Sequence, residues 1–301
     1  MSLDLPGTLQ SLEHRVRTLL PEIYQDRYDT VKPVSMGSAG IKYGKDGKVA
    51  WDDMWGSFCD LAMAGGPPHK GSLLEPASAA EIEQSPDHYA EVAAEITRGL
   101  HLVAELPAQA SSEHPGWIAA DCEDETMAEW LTRAILMENV SAFRQGTLLH
   151  LPAGPAYRIE KEIKNVITAV AKTSHYWLDH TWLPQRREIE QLFAQMEAVF
   201  PTLRPSRDPG DLTQTIANHI ASTTRLRASD AHYPGWCGLD CPDVDFAIWM
   251  MRALVASNVL ARRQATTLYV PVNPQTDPNG TRVASMVTQL YNLKLRDNLH
   301  H

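Results

Sequence analysis

The chain has 301 residues, enough to bury a sizeable core in one or two domains. Its 44% hydrophobic and 21% charged residues are ordinary for a soluble globular protein. The formal net charge is −10, with no Lys/Arg run to offset it, which argues against polynucleotide binding and attraction to an anionic membrane.

From the N-terminus, MSLDLPGTLQ has neither a basic segment nor an apolar core, so it reads as no signal peptide. A helix is expected over Gln10–Tyr24. Next comes a stretch of about 50 residues, 26–78, which reads as a hairpin (IKYG-KDG-KVAW), a short helix from Asp52, and a flexible loop from Gly65 to Gly71. The helix would set Trp55, Phe58, Cys59 and Ala62 on one apolar face, and Asp53 and Asp60 on another. The loop carries His69 and Lys70 but lacks the spacing of a phosphate loop. A structured segment of this length reads as a lid or binding element over a site. A passive loop with a solvated His is the plainer alternative.

After a helix over Tyr89–Leu106 comes the main signal. Pro115–Pro152 aligns without a gap on Pro234–Pro271, with 18 identities over 38 positions at an offset of 119 residues. Such density indicates duplication. Each copy reads as strand, helix, hairpin, helix. Asp124 and Asp243 are expected N-caps, and Asn139 and Asn258 are expected helix stops. The expected fold is therefore α+β. Two tandem repeats, 1–183 and 184–301, form a pseudo-twofold sandwich, with the 26–78 insertion in the first. Helices Arg187–Phe200 and Leu212–Thr224 precede the second copy, and RVRTLLPEIY looks related to QMEAVFPTLR.

Strand alternation places Trp117, Asp121 and His150 on the helix-free sheet face, matched by Trp236, Asp240 and Tyr269. Arg144 and Arg263 sit near the hairpin tips. These groups form either a ligand platform or a face joining the repeats, with Trp packing and Asp–Arg bonding. As a platform, Asp121, His150 and His69 would be the acid–base candidates. Trp117, Arg144, Lys70, Trp236, Asp240 and Arg263 would be the ligand contacts.

The closing helix of copy one carries Lys164, Thr168, Lys172 and His175 in one stripe, with Asp179 beyond. It reads either as a solvated face or as a site that copy one retained. In copy two, Ile248, Met251, Val255 and Ala256 make the first helix apolar all round, so something must cover it: the insertion, the other repeat, or a second subunit of a homodimer. Cys237 and Cys241, about 13 Å apart in a strand, are too distant for one disulfide or one zinc. The four cysteines, which include Cys59 and Cys122, fit a reduced cytoplasmic protein. Zincin, nucleophile-elbow and dinucleotide motifs are absent, so no metal is expected and the cofactor stays open. His300 and His301 receive no role. Function reads as a small-molecule enzyme or binder with a site between the repeats under the insertion. The alternative is an assembly protein using helix 243–257 and the insertion as its interface.

Overall fold

A computed structural model of the chain describes residues 9–35, 37, 39–208, 212–230 and 233–297. His300 and His301 lie outside the described residues. In chain order the helices are α1 (Leu9–Leu19), α2 (Glu22–Gln25), α3 (Ala79–Gln84), α4 (Pro86–Ala104), α5 (Glu125–Met137), α6 (Lys164–His180), α7 (Leu183–Val199), α8 (Thr213–Thr223), α9 (Val244–Val255) and α10 (Thr281–Asp297). The strands are β1 (Ala108–Ala110), β2 (Trp117–Asp121), β3 (Phe143–Gln145), β4 (Leu148–Pro152), β5 (Arg227–Ala228), β6 (Trp236–Asp240), β7 (Arg262–Gln264) and β8 (Thr267–Pro271). The fold is α+β, with two antiparallel sheets ordered β1-β2-β4-β3 and β5-β6-β8-β7. No helix among the described residues is long and apolar enough to cross a membrane.

The chain divides into two compact units, Pro21–Leu183 and a second that joins the segment up to Leu20 to everything from Pro184. Within each, the central register is the same: Trp117 pairs with Pro152 and Phe143 with His150, as Trp236 does with Pro271 and Arg262 with Tyr269. Only the edge strand differs, Ala108 facing Ala120 but Arg227 facing Asp240. Ile118, Ala120, Leu149 and Leu151 are fully buried on the helix-covered face, as are Cys237, Leu239, Leu268 and Val270. Local chemistry fixes the first helix of each unit. Asp124 accepts from the Met127 N–H and Asp243 from the Phe246 N–H, both at 2.7 Å. Asn139 and Asn258 both stop the helix in the left-handed region at φ 63°.

Three expectations need correction. The helix from Asp52 does not form. Trp51–Asp53 and Ala62–Ala64 are isolated 3-10 turns, and the chain between them has no helical hydrogen bonding. Trp51, just before that stretch, donates its indole N–H to Glu95 at 2.7 Å. The hairpin shrinks to a turn closed by one bridge, Tyr43 to Val49. The proposed kinship of the opening helices also shifts. Leu203 bridges Val259 as Leu74 bridges Val140, so 71–77, at the end of what reads as the insertion, occupies the place of 200–206.

α1 belongs with the later unit. Gln185 on α7 donates to the carbonyls of Thr18 and Leu20, at 3.0 and 2.7 Å, and α1 packs on α9. The apolar outer face of α9, from which a homodimer was expected, is thus occupied within the chain. In the Pro21–Leu183 unit the turn at Ala62–Ala64 packs on α5 instead.

Candidate functional site

The helix-free face of the first sheet gathers aromatic rings rather than a polar platform. Phe143 stacks on His150 at 4.3 Å and 2°, and stands edge-on to Trp117 and His114 at 4.7 and 5.1 Å. His150 is buried, and neither of its ring nitrogens has a hydrogen-bond partner. Burial, with His114 nearby, pushes its pKa down to about 4. Asp121 is exposed and accepts from the Thr147 hydroxyl at 2.8 Å. Asp240 does the same with Thr267 at 3.1 Å. These are cross-strand bonds near a sheet end.

Arg144 departs from the expected platform. It pairs in register with Leu149, whose side chain is in the core, so it points to the helix side. There it binds Glu129 and Glu125 of α5. Glu129 also holds Arg133 at 2.6 Å. Burial would raise the Glu129 pKa, but the two guanidiniums outweigh it and hold the carboxyl below its usual range. Arg263 is likewise on the core side, opposite Leu268.

The residue that reading the sequence missed is Arg262, the counterpart of Phe143. It is fully buried on the helix-free face, its guanidinium 4.2 Å from the Tyr269 ring, 4.6 Å from Tyr233 and 5.1 Å from Trp236. Its place opposite Tyr269 in the ladder was the available signal.

A second cluster forms where the insertion meets α6. Lys164, Thr168 and Lys172 are buried, so the stripe on this helix is not a solvated face. Lys164 donates to the Ala39 carbonyl. The Lys172 ammonium lies 2.9 Å from Glu138 Oε1 and 3.3 Å from Cys59 Sγ. Glu138 sits just past α5 and is fully buried. Its carboxylate accepts from the backbone N–H groups of Ala62 at 2.9 Å and His69 at 2.7 Å. Lys70 joins through its backbone: its N–H reaches the Glu138 carbonyl at 3.1 Å, and its carbonyl takes the Asn139 amide at 2.8 Å. The Gly65–Gly71 loop is therefore clipped to the end of α5.

Aromatic rings flank this cluster. Phe58 lies 5.5 Å from His175 and 6.2 Å from Trp55, and His175 pairs with Asp179 at 2.8 Å. Tyr24 lies beside Tyr176 at 5.4 Å, and its hydroxyl accepts the Leu61 N–H. Burial works against the charge on Lys172, yet attraction to Glu138 and Cys59 raises its pKa and keeps it an ammonium. Burial pushes the half-buried His69 down to about 4, against the pull of Glu138. His69 Nε2 and Trp55 Nε1 are shielded from solvent without a hydrogen-bond partner. In the ungapped sequence alignment Ser257 stands opposite Glu138, and aligning Thr168 with Thr288 sets Asn292 against Lys172.

The insertion thus brings His69 and Lys70 together with Glu138, Lys172 and Cys59. Trp117 and His150 both pack on Phe143 on the sheet face, and Asp121 and Arg144 join neither group. No set of three His, Cys, Asp or Glu side chains among the described residues is arranged to hold a metal ion. No family model, curated protein or solved structure matches this chain.

Proposed function

We propose that this chain is a small-molecule enzyme or binding protein whose site lies in the Pro21–Leu183 unit, under the insertion and against α6. One observation carries the reading. Lys172 is buried between a carboxylate and a thiol supplied from 34 residues upstream and from the insertion. Replacing such a buried ion pair by apolar groups is often neutral or stabilising, so stability alone is a weak reason to keep it. The unpartnered Trp55 indole nitrogen nearby supports the same reading, because buried polar groups normally have partners.

The two units arose by duplication in this proposal, and only one carries the site. The matching strand order and register support that history, and the free cysteines fit a reducing, cytoplasmic setting. The test is a thermal-shift screen of the full chain against a library of small metabolites. At least one chemical class should raise the melting temperature, and the Glu138→Gln/Lys172→Met double variant should lose that response. A library with no response, or a response the double variant keeps, overturns the proposal.

A further inference from the structure

Among the four cysteines, Cys59 differs in surroundings. Cys122, Cys237 and Cys241 are buried, and burial pushes each thiol up to about 12. Cys59 is half-buried, so a reagent can reach it, and a lysine ammonium donates to its sulfur. A positive donor at sulfur stabilises negative charge as it develops there, which is how a thiol is made a nucleophile. That ammonium is fixed by the Glu138 carboxylate, itself fixed by two backbone N–H groups. Trp55 lies four residues before Cys59 in the same unwound stretch and packs beside Phe58.

We propose that Cys59 is an acyl-accepting nucleophile assisted by Lys172 and Glu138, and that its substrates are esters or thioesters of small carboxylic acids. This rests on the site proposed above. The Cys59 sulfur bonds to the acyl carbon, the bond from that carbon to the leaving oxygen or sulfur breaks, and the thiol proton goes to the leaving group. An alcohol or thiol departs. Water then attacks the enzyme thioester, the carbon–sulfur bond breaks, the free acid leaves, and sulfur regains a proton.

The experiment uses the full-length chain with p-nitrophenyl acetate, read by p-nitrophenolate release and by peptide mass mapping. The expected result is a rapid release of one p-nitrophenolate per chain, with one acetyl group on the peptide holding Cys59. Cys59→Ser should lose the burst while melting as the parent does. Lys172→Met should slow it by about tenfold or more. If that variant is unstable, the Glu138→Gln/Lys172→Met pair serves in its place. Acetylation elsewhere, or none, overturns the acyl step. If iodoacetamide then labels Cys59 no faster than the other three cysteines, the nucleophile assignment falls as well. A metabolite-induced melting shift in a parent chain that p-nitrophenyl acetate fails to acetylate at Cys59 overturns this inference and leaves the site standing.

Discussion

The Lys172 ammonium and the Glu138 carboxylate meet at 2.9 Å with both side chains sealed from solvent. Desolvating two charges is expensive, and the attraction between them offsets it only when their remaining hydrogen-bonding capacity is filled. Here Ala62 and His69 fill it for the carboxylate. The pair therefore ties three segments together: the end of α5, the middle of α6 and both ends of the loop after Cys59. The charge network and the seating of the insertion are one structure.

Breaking one half of this pair should be worse than removing both halves. Glu138→Gln or Lys172→Met alone is expected to cost about 3–5 kcal/mol, because the surviving charge stays buried and unmatched. The double variant should cost markedly less than the sum. Urea denaturation of the four proteins measures the coupling. Additive losses would show that the two charges do not depend on each other.

Asn139 and Asn258 make a matched test of backbone and side chain. Each holds φ at 63°, and each amide donates to a carbonyl at 2.8 Å, of Lys70 and Phe200 respectively. Asn258 Oδ1 also accepts from the Thr202 hydroxyl at 2.8 Å. Alanine loses the side-chain bonds and meets the left-handed strain, whereas glycine loses only the bonds. Alanine variants should therefore be less stable than glycine variants by about 1 kcal/mol at both sites. Equal losses would mean that the strain is relieved by local movement.

These helix stops were legible in the sequence because their causes are local. An Asp before an apolar helix and an Asn after it act within a few residues. The Trp117–His150 face was legible too, since strand parity needs only the register. The insertion was not. Trp55, Phe58, Cys59 and Ala62 have helical spacing, yet the stretch stays unwound, with Phe58 against His175 and Cys59 against Lys172 of α6. Lys172 was the largest loss. A lysine on a helix stripe reads as solvated unless its partners are known, and Cys59 is 113 residues away. Arg144 lies near the hairpin tip, and its ladder neighbour Leu149 sets the face it takes.

Gly66 should be the most sensitive backbone position in the insertion. A Cβ there would stand 2.0 Å from the Asp60 carbonyl oxygen, a backbone atom that cannot swing away. Its N–H also donates to the Leu61 carbonyl at 2.8 Å. Gly66→Ala should loosen 59–70 and release Glu138 from its two N–H donors, while the β2–β4 ladder holds. Amide exchange by mass spectrometry reads both regions at once. Unchanged protection over 59–70 would show that the loop absorbs the methyl group.

His150 should make the protein sensitive to mild acid. Its folded pKa lies near 4, below the unfolded value of about 6.5, so the unfolded chain binds the extra proton between those two pH values. Where the unfolded state holds more protons, stability rises with pH. The contribution is therefore fully present above pH 6.5 and is lost as pH falls toward 4, up to about 3 kcal/mol for a group this buried. His69 is displaced in the same direction and to the same value, so the acid slope has two sources. His150→Phe keeps the stack on Phe143, leaves no unpartnered ring nitrogen, and removes one source. The variant should match the parent at pH 7.5 or exceed it, and lose roughly half as much stability between pH 7 and pH 4.5. Urea midpoints across that range decide the matter. An unchanged slope would mean that His150 takes up its proton in the folded state as readily as in the unfolded one.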